Sequence, residues 1–76
     1  MQYITKLKLA AVHQICDVEE KSTEFMLQFM QDSCKVSHDI VIAYMALDEK
    51  QHSQLFRDVN SFSQVMVQIE NSKHFQ

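Results

Sequence analysis

The pair of residues with the most chemical content is Glu49 and His52, spaced as Glu-x-x-His in Glu49-Lys50-Gln51-His52. On a helix that spacing sets a carboxylate and an imidazole on one face, which is how di-iron helical bundles present metal ligands. Glu20 and Glu24, together with Glu19, form a second acidic group that would lie level with the first if the chain folded back on itself. An oligomer could then gather Glu20, Glu24, Glu49 and His52 from several copies around iron. Counting about 100° per residue, however, Glu49 and His52 lie roughly 100° to 160° away from the main apolar stripe of their own segment. A solvated helix face is the simpler reading, and the sequence requires no cofactor.

Other chemistry has less support. Histidines 13, 38, 52 and 74 form no His-x-x-x-His pair, and Cys16 and Cys34 form neither a Cys-x-x-Cys element nor half of a zinc site. Buried free thiols in a reducing cytoplasm account for both cysteines, with a disulfide as the alternative. Most telling is the complete absence of glycine and proline, where average usage would give about nine such residues in 76. Phosphate-cradling loops of the P-loop and dinucleotide kinds need glycine, as does the nucleophile turn of many hydrolases. No catalytic residue is assigned, and the chain is read as a non-enzyme.

The elements that must position these residues are helices. Ile4, Leu7, Ala11, Ile15, Val18, Phe25 and Phe29 recur at steps that hold one helical face, and Leu9, Val12, Cys16, Thr23, Met26 and Met30 widen it. This predicts a first helix over about 4–31, with a polar middle at 17–24 where Asp17 could restart it as an N-cap. The segment QDSCKVS from Gln31 to Ser37 predicts a turn at about 32–37, with Ser37 and Asp39 opening the next helix. A second helix over about 37–70 follows from Ile40, Tyr44, Leu47, Leu55, Val59, Phe62, Met66 and Ile69, a stripe that only Gln51 interrupts. Residues 71–76 are predicted to fray.

The fold class is therefore all-α: one domain, an antiparallel helical hairpin or small helix bundle. The second helix carries a further apolar line, Val41, Met45, Phe56 and Val67, about 120° from the first, and one partner helix cannot cover both. Completion by self-association or by a protein partner is expected. Val41, Tyr44, Met45, Leu55, Phe56, Phe62, Met66 and Val67 are the candidate partner-binding residues, and the methionines suit an adaptable surface.

Charge and hydropathy bound the partners. The net charge is −3 and the seven Lys and Arg residues are scattered, so nucleic acid is not expected. Lys6 and Lys8 precede an apolar patch that His13 and Gln14 interrupt, which does not make a secretory signal. The longest apolar run, Ile40 to Leu47, falls far short of the roughly 20 residues a membrane span needs. A soluble, cytoplasmic protein is expected.

Two resemblances extend this reading. The Glu49/His52 spacing with the glutamates resembles the ligand arrangement of ferritin-like proteins, which implies an iron-binding oligomer or a metal-dependent oxidase. His38-Asp39-Ile40-Val41-Ile42-Ala43 resembles a segment of the flagellar basal-body rod adaptor family FliE, and the likeness extends weakly from Glu20 to Met66. It implies an assembly subunit that packs its helices within a bacterial secretion or flagellar apparatus. The family's glycine-bearing turn is replaced here by QDSCKV, and its Arg-Asn-Lys element has no clear counterpart. The function expected from the whole is a helical interaction module: an adaptor, small chaperone, inhibitor or assembly subunit.

Overall fold

Where the hydrophobic pattern predicts two rods, local capping chemistry cuts the chain into five helices. The computed structural model describes residues 1–72: α1 (Tyr3–Val18), α2 (Thr23–Ser33), α3 (His38–Met45), α4 (Glu49–Gln54) and α5 (Val59–Glu70). No strand occurs among the described residues, so the fold is all-α. Of the tail expected to fray, Asn71 caps α5 and Ser72 follows in a turn, while 73–76 lie outside the described residues.

Each break has a named cause. The first predicted helix stops at Val18 because Glu20 enters the left-handed region at φ 55°. There Lys21 N–H bonds back to the Cys16 carbonyl at 2.9 Å and Glu20 N–H to that of Asp17 at 3.3 Å, the paired bonds of a Schellman stop. In a chain without glycine a glutamate takes this position, at a cost of about 1 kcal/mol. The restart comes from Ser22, whose hydroxyl accepts from Phe25 N–H at 3.1 Å, and not from Asp17. Lys35, at φ 57°, lies in the next turn, and Ser37 caps α3 as its sequence position predicts.

The second predicted helix is cut twice. Asp48 and Gln51 form a reciprocal capping box: Gln51 N–H donates to Asp48 Oδ1 at 2.7 Å, and Asp48 N–H to Gln51 Oε1 at 3.1 Å. Asp58 then caps α5 by accepting from Ser61 N–H at 3.2 Å. A continuous helix over 37–70 would run about 50 Å. The longest dimension of the described molecule is 28 Å, and its radius of gyration of 11.3 Å matches the ~11.4 Å of a compact chain of this length. The extended two-rod hairpin is therefore corrected to five shorter helices wrapped together.

At the centre lies α1. Leu9, Ala10, Ala11 and Val12 are all fully buried, a consecutive run longer than one helical turn, so this stretch is covered on every side. α2, α3 and α5 all pack against it. Met26, Phe29 and Met30 from α2, Val41 and Tyr44 from α3, and Leu55 after α4 complete the core, while Cys16 and Cys34 sit in it as free thiols. Burial pushes both thiols above their ordinary pKa; nearby Asp17 adds to the rise at Cys16, where Lys21 opposes it, and Lys8 opposes it at Cys34. No described helix is long and apolar enough to cross a membrane.

Candidate functional site

Three helices converge on one small, half-buried polar cluster beside this apolar core. α1 supplies His13, α3 supplies Tyr44 and α4 supplies His52. Tyr44 is 0% exposed, yet its phenol needs a hydrogen-bond partner, and His13 Nδ1 lies 3.2 Å from its hydroxyl oxygen. His52 stacks on the Tyr44 ring, with centroids 4.6 Å apart and planes 27° from parallel. Its Nε2–H donates to the Tyr44 carbonyl at 3.0 Å, an oxygen that also accepts Leu47 N–H at 3.1 Å. That carbonyl belongs to the last turn of α3, where helix geometry leaves acceptors without intrahelical donors. His52 thus ties α4 to the end of α3, and the capping box at Asp48 sets the direction from which it reaches.

The two imidazoles also meet edge to face, with centroids 5.5 Å apart, and His13 Nε2 stands 3.8 Å from Asp17 Oδ2 one turn along α1. Carboxylate, imidazole and hydroxyl in that order resemble the relay that activates a nucleophile. Two facts oppose such a role. The phenol is closed to any substrate, and burial first, then the Asp17 charge, pushes its pKa far above the ordinary tyrosine value. An activated hydroxyl would shift the other way. The arrangement can orient and hold helices.

The structure separates the residues of the metal expectation. Glu20 lies in the turn after α1, Glu24 in the first turn of α2 and Glu49 in the first turn of α4, all exposed. His52, the fourth, turns inward to Tyr44. Among the described residues no group of three or more His, Cys, Asp or Glu side chains is placed to hold a metal ion. Within one copy of the chain the quartet is not a site.

The candidate partner-binding residues divide in two. Val41, Tyr44 and Leu55 are core residues, which corrects their reading as surface anchors: they belong to one buried cluster with Leu7, Leu9 and Val12 of α1. Met45, Phe56, Phe62 and Met66 are half-buried, and Phe56 and Phe62 meet edge to face with centroids 4.8 Å apart. Val67 is 54% exposed and, with Val59 at 65%, gives α5 an open apolar flank. No residue of α5 is fully buried, although Phe62 and Ile69 rest against the core. A shallow groove on this helix is lined by Ser63, Gln64, Val67 and Gln68, without a charged group.

His13 was not legible as a partner of Tyr44 and His52. The three residues come from separate elements, and the His13–Tyr44 contact spans 31 positions of sequence. The one available signal was a polar residue inserted directly after the buried run Leu9 to Val12.

Fold and site together define a small all-α protein with a histidine–tyrosine clasp at its centre and an uncharged apolar flank on its last helix. Comparison with family models, with curated proteins and with solved structures finds no match to the chain.

Proposed function

We propose that the protein is a non-enzymatic helical interaction module whose contact surface is the outer face of α5. The observation that carries this reading is the flank itself: Val59 and Val67 are more than half exposed on a helix that carries no charged side chain from Val59 to Ile69. Solvent-facing helix surface ordinarily concentrates charge, and apolar flanks without it are typical of contact surfaces. Burying such a flank gains roughly 25 cal/mol per Å² of apolar surface. Half-buried Phe62 and Met66 lie on the same helix and would extend the contact. The partner is another helical protein or a second copy of the chain; an assembly subunit of the FliE kind is one form such a module could take.

A photo-crosslinking residue in place of Val67, introduced in the native host, tests this reading. The expected result is a discrete adduct, of twice the chain mass for self-association or of another mass for a different protein. The same probe at Glu24, on α2, should give none. Absence of any specific adduct at position 67, with the protein folded, would contradict the proposal.

A further inference from the structure

From the geometry at the core we infer that His13, Tyr44 and His52 form an acid-opened clasp, in which protonation of His13 deprives the buried Tyr44 hydroxyl of its acceptor and loosens α4. With His13 neutral and its proton on Nε2, toward Asp17, the Nδ1 lone pair accepts the Tyr44 O–H across 3.2 Å. In the same state His52 Nε2–H serves the Tyr44 carbonyl. Protonated His13 has no lone pair. Nδ1 becomes a donor, the phenol oxygen can only accept from it, and the phenol proton is left without that acceptor. His13 Nδ1 is the one hydrogen-bond partner of that hydroxyl among the described residues.

A second consequence acts in the same direction. Histidine is the side chain whose ordinary titration falls between about pH 5 and 8, and this cluster holds two of them with centroids 5.5 Å apart. Two imidazolium ions at that separation repel, and His52 is the one whose retreat would carry α4 away from α3. The surrounding charges offset this only weakly. Asp17, 3.8 Å from His13, is 73% exposed and so well screened by water. α3 carries His38 and Asp39 in its first turn, at the end opposite Tyr44. Glu49 and Lys50 of α4, and Glu24 and Asp32 of α2, are exposed, and α5 has no titratable group before Glu70.

Gln in place of His13 tests the clasp, because its amide oxygen can accept the Tyr44 O–H at any pH and cannot take a charge. Urea unfolding and native-state amide exchange would be followed at about pH 7.5 and pH 5 on the full chain. In the parent protein the equilibrium constant for opening α4, read at the amides of His52 and Leu55, should rise about tenfold on acidification, the size expected for one buried donor losing its partner. In His13→Gln the rise should stay below about threefold. An undiminished rise in that variant overturns the inference. If His13→Gln does not fold at pH 7.5, Tyr44→Phe separates the two causes: no phenol proton is stranded and only the repulsion between the two imidazolium rings remains, so its acid response must be smaller than the parent's, and an undiminished response overturns the inference.

Discussion

α1, of 16 residues, and α5, of 12, are both rich in apolar residues, yet one is the most deeply buried of the described helices and the other has no fully buried residue. The difference lies in how apolar positions are distributed around the axis. Leu7, Leu9, Ala10, Ala11, Val12, Ile15 and Cys16 encircle α1, so neighbours are needed on all sides, and α2, α3 and α5 supply them. On α5 the residues turned to the core, Phe62 and Ile69, share the helix with Val59 and Val67, which face away from it. Apolar content alone does not say which helix is central. The arrangement of that content does.

The largest effect should come from cutting the α1 side of the comparison. Leu9→Ala removes a fully buried side chain and should cost about 2–5 kcal/mol, against the roughly 3–5 kcal/mol that a core of this size supplies. Urea titration followed by far-ultraviolet circular dichroism should show a chain largely unfolded in water. Val67→Ala, the matching cut on α5, should stay within about 0.5 kcal/mol of the parent.

Alkali should also act on the core rather than on α5. The Cys16 and Cys34 thiols have pKa values raised by burial above the ordinary 9.0, so each binds its proton more tightly in the folded than in the unfolded chain. Their contribution is fully present below pH 9.0 and is lost as pH climbs through the raised folded values, with Tyr44 following above its ordinary 10.0. Thermal melting should therefore fall steadily from about pH 9 upward, and Cys34→Ala should reduce the slope.

Two smaller changes sharpen the boundary between the regions. Asp48→Ala removes the α4 capping box and should cost about 1 kcal/mol, seen as faster amide exchange in α4 with α1 unaffected. Glu20→Gly relieves the left-handed residue that ends α1; the gain is at most about 1 kcal/mol, less the entropy glycine adds to the unfolded chain, and calorimetry would register a small upward shift in Tm.

Much of the central region was legible. Of the line Leu9, Val12, Cys16, Thr23, Met26 and Met30 all but the exposed Thr23 are buried, and Ser37 opens α3 at its expected place. The breaks at Asp48 and Asp58 were hidden because hydrophobic periodicity carries on through them, whereas the decision is made by single side-chain bonds to backbone N–H groups. Gln51, which looked like a flaw in an apolar stripe, is half of a capping box. A single long helix would turn Tyr44 and Leu55 outward on one stripe; with that helix cut, both join the buried cluster that includes Leu7, Leu9 and Val12 of α1. The His13 contact depends on three elements meeting, which no local pattern encodes.

Native-state amide exchange across α1 and α5 tests the division between them most directly. The amides of Leu9 to Val12 should exchange only through global unfolding, with protection that rises and falls with total stability, while those of Val65 to Ile69 open locally at lower free energy. Equal protection in both helices, lost together in denaturant, would contradict the account.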